Sequence, residues 1–235
     1  MKNIKAKYFG DKDFYKMILA IALPIVIQSL FTNFVAMLDN VMVGKVGTDQ
    51  MTGVAVVNQL FFVFNLAVFG GMSGAGIFSA QYFGRKDHKG VRNVFRMKFI
   101  IGLIVIAVSL SIFILFHEPL INMFLHEGGA SGNIDATFHY ARNYLFVMLF
   151  SIIPFVISNC YSTTLKEAGQ TTVPMIAGVI AVIVDFVFNA LLIFGLLGFP
   201  KLGVVGAAIA TVLSRFVECG YLMFYTHRHS DKYQF

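Results

Sequence analysis

The sequence predicts an all-α integral membrane protein, a bundle of six transmembrane helices with both termini on the cytoplasmic side. Three observations lead to this fold class: an apolar composition, six long apolar runs, and an uneven distribution of Lys and Arg. Hydrophobic residues make up 57% of the 235 residues and charged residues 13%, whereas roughly 25% of residues are charged in a typical soluble domain. The chain is therefore expected to lie in a lipid bilayer, as a single six-helix unit over residues 1–235.

Six apolar runs have the length that a helix needs to cross a bilayer, about 20 residues. Their expected bounds are residues 17–43, 51–83, 99–116, 138–161, 172–195 and 204–225. The polar segments 84–98 and 163–172 are interpreted as loops, and segment 120–125 is expected to form a short interfacial helix. Gly70 and Gly74 have the small-xxx-small spacing that favours close helix packing.

The basic residues fall mainly on one side of the expected membrane. Most of the 18 Lys and Arg lie in the N-terminal lead-in, the loops after the second and fourth runs, and the C-terminal tail. The opposite side has Lys45, Arg142 and Lys201, and Arg215 lies inside the sixth run, where it is expected to form a structural pair with Glu218. Because cytoplasmic loops are rich in Lys and Arg, both termini are expected to be cytoplasmic. The net charge of +6 therefore does not indicate a nucleic-acid partner.

Two carboxylates lie inside apolar runs, where a charge costs at least ~2.5 kcal/mol on insertion scales. Asp185 is in the fifth run, and Asn189, four residues on, projects from the same helical face. In the first run Gln28, Thr32 and Asp39 return to nearly one face at ~100° per residue. We expect the Asp185 and Asn189 pair to hold a proton, a sodium ion or a cationic ligand. Asp39 is expected to share a cavity with that pair in the outer half of the bundle.

Four segments of the chain carry a resemblance to a known family. They are LPIVIQSLFTNFVAMLDNVMVGKVG, AQYFGRKD, LKEAGQTTVPM, and VDFVFNALLIFG followed by LGVVGAAIATVLS. In the same order and at similar spacing, they resemble the N-terminal half of multidrug and toxic compound extrusion (MATE) transporters. Members of that family typically have twelve spans in two six-helix lobes and export cationic or amphipathic compounds in exchange for H⁺ or Na⁺. The resemblance covers essentially the whole chain and implies one such lobe.

The resemblance also implies which residues form the site. The acidic residue of the family's first span matches Asp39. The family's fifth span often has an Asn followed four residues later by an Asp, and here the order is reversed, Asp185 then Asn189. Other polar positions around the family's cavity match Thr32, Asn33, Tyr144 and Asn159. The oxygens of Asp39, Asp185, Asn159, Asn189 and Thr32 would suit Na⁺, and a proton is the alternative. Beyond this coupling ion we expect no cofactor and no metal centre.

Several functional alternatives stay open at this point. Secondary active export is favoured, with a shift of the first span near Pro24 as the moving step. A second copy of the chain or a separate C-terminal lobe would supply the second half. A flippase for lipid-linked sugars is the alternative in the same superfamily, but it should have a strongly cationic cavity, for which the sequence offers Arg215. A non-transporting lobe that needs a partner is the third possibility.

Two further expectations complete the analysis. No enzymatic activity is expected, because no nucleophile has a base at usable spacing. Asn58, Gln59 and Asn65 in the second run are interpreted as interhelical hydrogen-bond partners. Short loops and the lack of a targeting peptide favour a bacterial plasma membrane as the location.

Overall fold

In a computed structural model, the described residues, 11–127 and 133–229, form seven α-helices and one short 3-10 turn. The helices are α1 (Lys12–Gly44), α2 (Thr48–Gly84), α3 (His88–Leu115), α4 (His117–Glu127), α5 (Ile134–Glu167), α6 (Thr172–Phe194) and α7 (Val204–Arg228), and the 3-10 turn is Leu196–Gly198. Lys2, Lys5 and Lys7 of the basic lead-in, and residues 230–235 of the tail, lie outside the described residues.

Six of these helices, all except α4, are long and apolar enough to cross a membrane. The predicted fold class, an all-helical bundle with six candidate spans, is therefore confirmed. The short helix expected at 120–125 is present as α4 and extends over His117–Glu127.

The helices continue well beyond the apolar runs, so the prediction that 84–98 and 163–172 are loops is wrong for most of both segments. Helix α3 begins at His88, where the Asp87 carboxylate caps it by accepting a hydrogen bond from the Gly90 amide at 3.0 Å. Helix α5 runs on to Glu167. The Thr164 hydroxyl there donates to the Cys160 carbonyl at 2.8 Å. Because a helix satisfies its own backbone hydrogen bonds, polar side chains at its end do not stop it.

The extension of both helices brings together two charges that the sequence placed in separate loops. The Lys98 ammonium lies 2.7 and 2.6 Å from the two Glu167 carboxylate oxygens. It also donates to the hydroxyls of Thr163 and Thr164, both at 3.2 Å. Lys98 is 0% exposed and the Glu167 side chain 16%. This buried ion pair joins α3 to α5.

Five helices form a ring around a central cavity. Helix α1 packs on α6, α6 on α7, α7 on α5, and α5 on α2, while α2 and α1 touch only slightly. Helix α3 lies outside the ring against α2 and α5. The tightest packing is between α2 and α5, where Val57, Val68, Leu145 and Ile152 are buried. In lipid such an interface depends on van der Waals contact rather than on removal from water.

The small residues that permit close packing in α2 are not the pair that the spacing indicated. A Cβ on Gly70 or Gly74 would meet nothing within 4 Å, so the packing role predicted for them is wrong. A Cβ on Gly71 would lie 2.9 Å from Cγ2 of Ile101, and one on Gly76 would collide with the Glu167 carboxylate. The face of α2 that meets α3 and α5 is thus rotated from the face that carries Gly70 and Gly74.

Helix α1 is the least buried part of the ring. Across its 33 residues the structure buries only Val35 and Val43. Its contact with α6 is close at one point, where the side-chain amide of Gln28 lies 2.6 Å from the position of a Cβ on Gly178. Pro24 lies inside the helix, where it removes one backbone hydrogen bond. Helix α1 therefore rests on the bundle mainly through α6.

Candidate functional site

The cavity inside the ring has a volume of about 520 Å³ and is lined by α1, α2, α5, α6 and α7. Most of the predicted site residues line it: Gln28, Thr32, Asp39, Tyr144, Asn159, Asp185 and Asn189. Asn33 is exposed and is not among the lining residues. The volume lies within the range of small-molecule sites, about 300–1,000 Å³.

Three of these residues form one hydrogen-bonded group, which we call the acidic centre: Asp39, Asp185 and Asn189. The Asn189 side-chain amide donates to Oδ1 of Asp39 at 2.8 Å and to Oδ2 of Asp185 at 3.3 Å. Asn189 is 1% exposed and Asp185 9%. The two α6 residues share a face because they are four residues apart. Asp39 comes from α1, so the acidic centre ties α1 to α6.

Two oxygens of the acidic centre have no hydrogen-bond partner. They are Oδ1 of Asp185 and Oδ1 of Asn189, and both are buried. Both donated hydrogen bonds of the group come from the Asn189 amide nitrogen, so the described residues leave these acceptors without a donor. A buried acceptor without a donor costs about 1–3 kcal/mol. A proton or a hard cation is the kind of ligand that such oxygens accept.

Thr32 and Asn159, the other two members of the expected oxygen set, do not contact the carboxylates. The Thr32 hydroxyl donates to the Gln28 carbonyl at 2.9 Å, and the Asn159 amide donates to the Phe155 carbonyl at 2.9 Å. Both bonds lie within one helix. Within the described ranges the structure therefore gathers three of the five predicted oxygen-bearing residues and leaves the other two elsewhere on the cavity wall.

The inner part of the cavity carries charges that sequence reasoning placed otherwise. Lys166, interpreted as a loop residue, lines the cavity because α5 continues to Glu167. The expected pair of Arg215 and Glu218 is present, with Nη1 and Oε2 2.9 Å apart, and both residues also line the cavity. A helical signal for Lys166 exists in the sequence, since Asn159, Ser162 and Lys166 are spaced by three and four.

The polar residues of α2 differ from the prediction. Asn58 and Asn65 line the cavity and make no hydrogen bond within the part of the chain that the structure describes. Gln59 is exposed and likewise has no hydrogen-bond partner among the described residues. The interpretation of these three residues as interhelical hydrogen-bond partners is wrong, because the face of α2 that carries the two asparagines meets the cavity instead of a helix.

Six apolar helices, five of them ringed around a polar cavity with an acidic centre, define a polytopic membrane protein built around an internal solute-sized site. The MatE family model matches residues 24–191. The chain belongs to the MatE family, which confirms the resemblance found in its four segments.

The similar proteins agree with this assignment. The "Probable multidrug resistance protein NorM" of Thermotoga maritima is 30% identical over 216 residues, which is 92% of this chain and 45% of that protein. The chain spans about half the length of the curated relatives it matches.

Solved structures share the fold. An outward-facing multidrug resistance MATE family transporter of the MOP superfamily has a TM-score of 0.77 at 24% identity, covering 93% of this chain and 46% of that one. A MOP superfamily transporter from Pyrococcus furiosus, described as having a binding pocket of reverse polarity, has a TM-score of 0.75 at 22% identity, covering 93% and 46%.

Proposed function

We propose that this chain is one six-helix lobe of a bacterial plasma-membrane exporter that exchanges cationic or amphipathic compounds for H⁺ or Na⁺. The acidic centre is the coupling site. The observation that carries the proposal is the sharing of one Asn189 amide by two carboxylates, beside two buried oxygens that have no donor. The names of the relatives as multidrug resistance proteins support the same class of substrate.

Exchange follows from competition for the same negative charge. With Asp39 and Asp185 ionised, the centre attracts a cationic substrate into the cavity. A proton or Na⁺ that binds the unpaired oxygens neutralises that charge and weakens the hold on the substrate. The ion drives the cycle only by the difference in its affinity for the two states.

Helix α1 is the element that responds to ion binding. It has little other packing, and its hydrogen bond to α6 runs through Asp39 and Asn189. An ion on Asp39 changes that bond, and Pro24 weakens the same helix by one backbone hydrogen bond. A shift of α1 would then change the size of the cavity.

The walls of the cavity suit flat, amphipathic compounds. Four phenylalanines line it: Phe61, Phe62, Phe64 and Phe155. Aromatic faces attract delocalised cations, and apolar walls with a few polar groups are typical of small-molecule sites.

The flippase alternative is less well supported. The ionisable residues that line the cavity are three acids, Asp39, Asp185 and Glu218, and two bases, Lys166 and Arg215. A cavity for a lipid-linked sugar would need a clear excess of bases, and this one has an excess of acid.

A second lobe would complete the exporter. Six is an even number of spans, so a second copy or a separate C-terminal lobe would insert with the same orientation. A lobe that does not transport alone is an outcome that the experiment below detects.

The test is ethidium efflux from proteoliposomes that contain the purified chain, under an imposed H⁺ or Na⁺ gradient, with its oligomeric state measured in parallel. We expect efflux driven by one of the two gradients and a fall to background in Asp39→Asn and Asp185→Asn. Asp13→Asn is the matched control, because Asp13 is an exposed acid of α1 away from the cavity. Efflux that survives both cavity variants would refute the coupling site. A monomer without efflux would mean that the chain needs a partner lobe.

A further inference from the structure

Lys166 is a cation inside the membrane-spanning region without a direct partner. It is partly buried and lines the cavity, near the end of α5 opposite to the acidic centre. Among the described residues it makes no hydrogen bond and no ion pair within 4 Å. The contrast with Lys98, one helix away, is clear, because that ammonium is held by a carboxylate and two hydroxyls. Ionisable residues within spans commonly face a cavity and mark a substrate path.

Arg215 adds a second cation with donors to spare. Its Nη1 donates to Glu218 at 2.9 Å, and its guanidinium carbon lies 5.1 Å from the centre of the Phe155 ring. A guanidinium has five N–H donors, and the Glu218 bond uses one of them. The Arg215 side chain is 35% exposed, so the remaining donors are within reach of the cavity.

Glu218 is the carboxylate that these two cations share. It pairs directly with Arg215 and also interacts electrostatically with Lys166. Two positive charges against one negative charge leave this part of the cavity with a net positive charge. We call Lys166, Arg215 and Glu218 the basic end of the cavity.

The basic end and the acidic centre lie at different depths of the same cavity. Asp185 interacts with Thr211 and Ser214 of α7, and also with the charge of Arg215. Glu218 lies seven residues beyond Thr211, which is about 10 Å along a helix. One cavity therefore has a negative part and a positive part about two helical turns apart, with Phe155 beside the basic end.

We propose that the basic end is an anion subsite that binds a carboxylate of the substrate, so that the cavity selects amphipathic zwitterions over simple cations. Lys166 is the specificity-determining residue, because its ammonium has no direct internal partner and can form a charge-assisted hydrogen bond to the ligand. This inference rests on the proposed export function, since it names the substrate class of the same cavity.

Two dyes that share one ring system separate the two ideas. Rhodamine 110 carries a free carboxylate and a delocalised cation, and rhodamine 123 is its methyl ester, which has only the cation. Binding of each dye to the purified 235-residue chain in detergent is followed by fluorescence anisotropy. We expect wild type to bind rhodamine 110 more tightly than rhodamine 123.

The decisive variant is Lys166→Met, which keeps the length of the side chain and removes its charge. We expect its affinity for rhodamine 110 to fall about tenfold, the loss of one charge-assisted hydrogen bond. Its affinity for rhodamine 123 should not fall, because a repelling cation is gone. Lys166→Arg should restore the preference. Lys45→Met is the matched control, since Lys45 is exposed at the end of α1 and does not line the cavity.

The outcomes distinguish this inference from the export proposal. If Lys166→Met weakens both dyes equally, weakens neither, or if wild type binds only the ester, the anion subsite is refuted while export of cations stands. If rhodamine 123 binding does not change in Asp185→Asn, the acidic centre fails as a cation site, whatever the result for Lys166. If wild type binds neither dye, both ideas fail.

Discussion

The acidic centre and the buried ion pair are both clusters of polar side chains inside a membrane bundle, yet they are built differently. In the ion pair, Lys98 has four acceptors within hydrogen-bond distance, two from Glu167 and two from threonine hydroxyls. In the acidic centre, one Asn189 amide serves two carboxylates, and two buried oxygens have no donor.

The difference separates a structural cluster from a working one. A charge pair whose groups are all satisfied has nothing left to offer a ligand, and it fixes the helices that carry it. An acid pair with unused acceptors, on the wall of a cavity, is incomplete without a bound ion. Charge inside a membrane is therefore a sign of function only when the hydrogen-bond count is incomplete.

The largest effect on stability is expected for Glu167→Gln. The variant leaves the Lys98 ammonium, which is 0% exposed, without a counter-charge, and breaking a buried pair in this way costs about 3–5 kcal/mol. The free energy of unfolding is measured by titration with sodium dodecyl sulfate in mixed micelles, followed by helical circular dichroism.

The control for this prediction is the double variant Lys98→Met with Glu167→Leu. It replaces both charges by apolar groups of similar size and should be close to wild type in stability, since such replacements are often neutral. A Glu167→Gln protein within about 1 kcal/mol of wild type, the range of ordinary surface changes and small core changes, would show that the ion pair does not hold the helices.

A smaller effect is expected for Gly76→Ala. Its new methyl group would collide with the Glu167 carboxylate that Lys98 holds in place, and overpacking of this kind costs about 1–3 kcal/mol. Gly74→Ala is the matched control on the same helix, because nothing lies within 4 Å of its Cβ. The same micelle titration checks both. Equal stability of the two variants would mean that the carboxylate moves aside freely.

The smallest effect on stability is expected for Asp185→Asn, the same acid-to-amide change made in the acidic centre. The variant weakens one hydrogen bond of 3.3 Å but removes a charge from the membrane interior, so the net change should stay within about 1 kcal/mol. The mixed-micelle titration that tests Glu167→Gln measures it. A loss as large as that of Glu167→Gln would place the acidic centre among the structural clusters and would remove the contrast drawn above.

The sequence by itself determined the six spans and part of the site. Hydrocarbon selects apolar runs of a certain length, and this constraint acts on each segment separately, so the runs could be read without knowing how they pack. Two local pairs were equally accessible, Asp185 with Asn189 and Arg215 with Glu218, because residues three or four apart share a helical face.

The tertiary structure alone decided which faces meet. The bond from Asn189 to Asp39 joins residues 150 positions apart, and the Lys98 bonds to Glu167 join residues 69 positions apart. Helical periodicity gives the relative angle of side chains within a helix, but it does not give the rotation of that helix against its neighbours. For that reason Gly76 and not Gly74 packs, and Lys166 lies on the cavity instead of in a loop.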